Sequence, residues 1–159
     1  MDSSHSPQVP SLLEQAIGIA IRAHSGQMYK NVEPYILHPL RLMLRMDSLH
    51  EQLTAVLHDV LEDGCACDLE TLRAFPAEVS EAVCVLTRES DENDYEAYIR
   101  RVGINPLARR IKIKDLEDHL HIRRNRVLEE ADFRKQQRYL RAHQYLCGLE
   151  RGACSLLSV

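Results

Sequence analysis

The strongest constraint in this chain is an eleven-residue run, 53–63, in which an apolar helical pattern ends in a cluster of ionisable side chains. Leu53, Val56, Leu57, Val60 and Leu61 mark a face made for burial, and the run closes on His58-Asp59-Val60-Leu61-Glu62-Asp63. On a helix, His58 and Glu62 lie one turn apart, as do Asp59 and Asp63. Adjacent positions diverge by about 100° around the axis, so the two pairs make one polar sector. Unpaired charge is costly to bury. Such a helix can enter a core only if something compensates these four groups, and a divalent cation is the simplest compensation.

The rest of the chain reads as helices. Ser11 caps a first helix whose apolar positions (Leu12, Leu13, Ala16, Ile17, Ala20, Ala23) run to about Gly26. A loop over 27–37 leads to His38-Pro39, where proline suits the first turn of a second helix. The third runs from Leu49 to Asp63 and stops at Gly64. Asp68 caps a short helix to Phe75, and another spans Ala77–Thr87. After an acidic linker at Glu89–Asp94, helical patterns return at Tyr95–Val102, at Leu107–Arg123 and at Asp132–Leu149. No strand pattern and no internal repeat stand out, so the expected class is all-α. The expected organisation is a disordered lead-in over 1–10, one domain over 11–149 and a frayed tail over 150–159.

The 159 residues, 45% hydrophobic and 28% charged, suit one soluble domain with a workable core. A net charge of −4 argues against nucleic acid as the main partner. The basic clusters at Arg109–Lys114 and Arg123–Arg126 have two readings, solvated helix faces or a field for a polyanionic small molecule. Cys65, Cys67, Cys84, Cys147 and Cys154 form no disulfide or zinc framework and read as free thiols. No secretory signal or bilayer-spanning run is present, so a cytoplasmic location away from membranes is expected. Phe133, Tyr139, Leu140, Tyr145 and Leu146 on the last helix are available for packing within the chain or against a second copy.

Three blocks carry a family resemblance. The first is Ala23-His24-Ser25-Gly26-Gln27, with Lys30 and Glu33-Pro34-Tyr35-Ile36-Leu37-His38-Pro39. The second is Ala55 to Asp63, and the third is Asn105-Pro106-Leu107-Ala108-Arg109 leading to Lys112-Ile113-Lys114-Asp115. Together they resemble the HD-domain phosphohydrolases, in particular the hydrolase domain of RelA/SpoT-type alarmone enzymes and their small relatives. The similarity runs from Ser11 to Arg124. It implies an HD-domain helical bundle with His38, His58, Asp59 and Asp115 as ligands of one divalent ion. Manganese is typical of the family, and the donor types also suit zinc or iron. Glu62 and Asp63 match the family's acidic catalytic pair, which takes a proton from water or orients it. Lys30 matches a loop lysine beside the substrate phosphates, although an isolated loop lysine is ordinarily just solvated. His24 is not a ligand of the family and reads as structural.

The pattern departs from the family where the nucleotide is recognised. Tyr29 stands in place of an arginine expected against the base, and its ring can still stack. His119 stands in place of an asparagine that helps hold the ribose, and Leu116 in place of a basic residue. The resemblance implies a small-molecule nucleotide substrate, with guanosine 3′,5′-bis(diphosphate) losing its 3′-pyrophosphate as the leading expectation. Tyr29, Lys30 and His119 are the expected substrate contacts. Two alternatives remain open. One is the same chemistry on an adenine alarmone, a nucleoside monophosphate or NADPH. The other is a metal-stabilised nucleotide-binding module without turnover.

Overall fold

The computed structural model describes residues 11–29, 33–62, 67–88, 94–121 and 130–156. Eight helices are formed among them: α1 (Leu12–Ala23), α2 (Leu37–Met43), α3 (Leu49–Leu57), α4 (Leu69–Leu72), α5 (Ala77–Leu86), α6 (Tyr95–Ile104), α7 (Pro106–His119) and α8 (Glu130–Leu156). The all-α expectation holds, with one addition. Met28–Tyr29 (β1) and Glu33–Pro34 (β2) pair as an antiparallel ladder in the register Met28↔Pro34, Tyr29↔Glu33. A ladder of two residues per strand is too short to show alternation, so nothing in the pattern announced it. Gly26, at φ 77°, makes the left-handed turn that carries the chain from α1 towards it.

The helix starts follow local chemistry. Ser11 and Ser48 form capping boxes with Glu14 and Glu51. Asp68, Asp94 and Asn105 cap α4, α6 and α7 with their side-chain oxygens. Each such cap contributes about 1 kcal/mol. Asn105-Pro106 thus fixes where α7 begins, and with it the rotation at which Asp115 faces inward.

Helices α3 and α7 cross at the centre. The first packs on α1, α2, α5 and α7; the second also packs on α2, α5, α6 and α8. Leu53, Val56, Leu57, Ile111, Leu116 and Leu146 are fully buried where these helices meet. Being enclosed on most sides, α7 buries Arg109, Asp115 and Asp118 with its apolar residues, which is why its sequence lacks a clean amphipathic stripe.

Two boundaries differ from expectation in ways that matter. Helix α3 ends at Leu57, six residues before Asp63. The His58 imidazole donates through Nδ1 to the Ala55 carbonyl at 2.8 Å, a carbonyl that a continuing helix would offer to Asp59. The chain then tightens into three-residue turns, Val60 N–H to Leu57 and Glu62 N–H to Asp59. At the other end α8 continues to Leu156, past the expected limit at Leu149. Its Leu146 is buried, Tyr139 is partly buried, and Phe133, Leu140 and Tyr145 are exposed. Cys67, Cys84 and Cys147 are free thiols. The lead-in at 1–10 and Arg123–Arg126 lie outside the described residues. No helix among those described is long and apolar enough to cross a membrane.

Candidate metal centre

The tight turn after α3 lets neighbouring side chains converge where a regular helix would splay them. His58 Nε2 lies 3.0 Å from Asp59 Oδ2. From α2, His38 brings its Nε2 to 3.1 Å from Asp115 Oδ1 on α7. His58 Nε2 stands 3.9 Å from that same oxygen. The donor atoms fall into two overlapping sets that share His38. His38, His58 and Asp59 lie within 4.8 Å of one another, and so do those of His38, Asp115 and His119. The four residues expected as ligands are therefore brought together from three segments distant in sequence.

Outer partners aim each donor. His38 Nδ1 meets Asp118 Oδ2 at 2.7 Å, and Asp118 is held in turn by Arg41, which also pairs with Glu33. His58 Nδ1 is fixed by the Ala55 carbonyl. Both histidines thus present Nε2 inward, the arrangement common to metal-ligating imidazoles. Lys112 holds Asp115 Oδ2 at 2.6 Å, and the Tyr35 hydroxyl donates to Asp59. His24 is buried against the Tyr35 ring at 4.9 Å and meets Gln27 through Nδ1, consistent with a structural place. Asp118 and Tyr35 were not singled out from sequence. Asp118 carries a signal, three residues beyond Asp115 and hence on the same helix face; Tyr35 carries none.

The donor set fits a cation. His38 Nε2, His58 Nε2 and Asp115 Oδ1 are buried, and none makes a hydrogen bond of acceptable geometry. His38 Nε2 comes within contact distance of Asp115 Oδ1 without hydrogen-bonding geometry, and His58 Nε2, at 3.9 Å, is too far from that oxygen to bond it. Buried polar atoms left in this way are rare, and a dication seated among them would satisfy all three.

The charges are tightly linked. Burial opposes charge on His38, but the adjacent Asp115 and Asp118 carboxylates outweigh it and raise its pKa to about 9. Burial alone would raise the Asp115 carboxyl, yet Lys112 and His119 hold it well below the usual carboxylate range. Glu62 goes the other way, with burial and then the neighbouring Asp59 charge pushing it up to about 7.

A cavity of about 510 Å³ opens beside the donors, with Tyr29, Asp59, Glu62, Asp115, His119 and Tyr139 in its wall. Arg88, Tyr95, Lys112 and Lys135 complete much of the remainder. Of the basic residues at 109–114, only Lys112 reaches it. Arg109 and Arg110 pair with Glu150, Arg110 also with Glu51, and Lys114 with Glu117. A second cavity of about 520 Å³ between α6 and α8 contains no imidazole donor, so the chemistry belongs to the first. Lys30 and Asp63 lie outside the described residues.

The chain has relatives of known description. It is 32% identical over 129 residues, 74% of its length, to a guanosine-3′,5′-bis(diphosphate) 3′-pyrophosphohydrolase of Aquifex aeolicus, of which the match covers 18%. It is 40% identical over 83 residues, 48% of its length, to a protein of that description in Vibrio cholerae, covering 11%. A bifunctional (p)ppGpp synthase/hydrolase SpoT of Escherichia coli is 39% identical over 75 residues, covering 45% of this chain and 11% of that one. This chain resembles the HD-type hydrolase domain of SpoT. It spans less than a fifth of the length of these relatives. No protein-family model matches it.

Proposed function

We propose that the chain is a divalent-metal phosphohydrolase that removes the 3′-pyrophosphate from guanosine 3′,5′-bis(diphosphate). The observation that carries this reading is the meeting of His38, His58, Asp59 and Asp115 beside a cavity that also contains Glu62. The function of the relatives suggests the substrate.

In this reading His38, His58, Asp59 and Asp115 hold the ion, and manganese is the ion implied by the resemblance. When bound, it supplies an acidified water and offsets charge developing on the phosphoryl oxygens. Glu62, in the cavity wall, accepts the proton of the attacking water. The water oxygen forms a bond to the phosphorus next to the ribose 3′-oxygen, and the bond between those two atoms breaks. Pyrophosphate departs, the 3′-oxygen takes up a proton, and GDP remains. Asp63 is the acidic partner of Glu62 in this scheme, and Lys30 steadies phosphate. Arg88 and Lys135 in the cavity wall add positive charge suited to an anionic substrate, while Tyr29, Tyr95 and Tyr139 offer rings to a base or ribose.

The test is product analysis on the purified chain with manganese and a nucleotide panel: guanosine and adenosine alarmones, nucleoside monophosphates and NADPH. GDP with stoichiometric pyrophosphate is expected. Orthophosphate from another nucleotide, with no pyrophosphate from any, would overturn the 3′-pyrophosphohydrolase reading while keeping the metal chemistry. Binding without turnover of any member would favour the non-catalytic module.

Asp118 provides a second check. Its carboxylate fixes the His38 ring, so Asp118→Ala is expected to weaken metal affinity by about 10–100-fold. Cobalt titration followed by visible absorption measures this directly. An unchanged affinity would mean that His38 is held without Asp118.

A further inference from the structure

His119 occupies a position from which a ribose contact was expected, yet its imidazole is engaged elsewhere. Its Nε2 lies 3.1 Å from Asp115 Oδ1, as close as the Nε2 of His38 comes to the same atom. Its ring centroid is 4.7 Å from that of His38. The donor atoms of His38, Asp115 and His119 are as tightly grouped as those of His38, His58 and Asp59. Asp115 Oδ1 nevertheless has no properly directed hydrogen bond. A simple imidazole–carboxylate pair would satisfy that oxygen, whereas two imidazoles arranged around a shared ion would not point at it.

The other ring nitrogen adds a second observation. His119 Nδ1 is 3.3 Å from the hydroxyl of Tyr29 on β1. All three imidazoles around Asp115 therefore have Nδ1 held from outside: His38 by Asp118, His58 by the Ala55 carbonyl, and His119 by Tyr29. Each is left with Nε2 on the inner side, as metal-ligating histidines are. Tyr29 and His119 are also two of the recognition positions at which this sequence departs from the family it resembles.

We infer that His119 is a further ligand of the ion held by His38, His58, Asp59 and Asp115, and that Tyr29 is the residue that positions it. This rests on the metal-centre reading above and deepens it. The donor set becomes three imidazoles with two carboxylates. An added nitrogen donor favours later first-row ions over manganese, and one fewer position is left open to water and substrate. These two sequence departures then act as one device that alters the ion's surroundings.

The test uses the full chain stripped of metal and reloaded with cobalt(II), observed by proton NMR in water and in deuterium oxide. Imidazole N–H protons of ligating histidines appear as strongly shifted, exchangeable signals. Three are expected in the parent and two in His119→Asn. The same variant is expected to move the cobalt-to-manganese affinity ratio about tenfold towards manganese, and Tyr29→Phe to keep three signals while weakening cobalt binding several-fold. Two signals in the parent, or a count unchanged in His119→Asn, would overturn the assignment of His119 and leave the four-residue centre intact. A protein that takes up no cobalt would instead overturn the metal centre itself.

Discussion

Glu62→Gln is expected to lower turnover by about 10²–10⁴-fold while leaving the ion in place. The amide is isosteric and cannot accept a proton from water, and Glu62 is not among the converging donors. Loss of kcat with unchanged cobalt affinity is the expected pair of results, and normal turnover would remove Glu62 from the mechanism. The substitution has a further signature in the ion-free protein. Burial and the Asp59 charge raise the Glu62 carboxyl from 4.5 to about 7 on folding. Between those values the folded state retains a proton that the unfolded state has released, so stability falls as pH rises from 4.5 to 7 and then levels off. Glu62→Gln should therefore melt later than the parent at pH 8 and show no such gain at pH 4. A bound dication would return Glu62 to its carboxylate form, the form a general base requires. Equal melting temperatures at both pH values would mean that Glu62 is not buried beside the Asp59 charge.

His58→Ala is expected to lose the ion and, with it, a large share of thermal stability under metal-loaded conditions. The His58 side chain is buried, its Nδ1 stops α3, and its Nε2 faces both Asp59 and Asp115. An ion bound only by the folded state adds about 4 kcal/mol when present at a thousand times its dissociation constant. In a domain of this size that corresponds to a melting-temperature difference of about 10 °C. Chelation separates the contributions. With a chelator present, the gap between parent and His58→Ala should shrink to the cost of the lost packing and of the lost hydrogen bond to Ala55. A gap that is the same with and without chelator would mean the ion does not link α2, α3 and α7.

The helix-by-helix outline was legible because five of the eight helices described start at a side-chain cap and most buried faces repeat at helical spacing. The end of α3 was not. Apolar spacing predicts a helix continuing to Asp63, but after Leu57 a side-chain-to-carbonyl bond from His58 competes with the backbone ladder and wins. The basic run at 109–114 was equally ambiguous, because whether a cation faces a cavity or an acid depends on partners such as Glu51 and Glu150, far away in sequence.

The sequence by itself determined the helical class and the caps, since these depend on local spacing, while the family resemblance supplied the imidazole and carboxylate residues expected to hold a cation. Only the tertiary structure decided that His38, His58 and Asp115 share one buried point, that Asp118 and Tyr35 stand behind them, and that His119 turns towards Asp115. The physical reason is that α2, α3 and α7 meet through packing, and no local pattern records which face of one helix will be pressed against another.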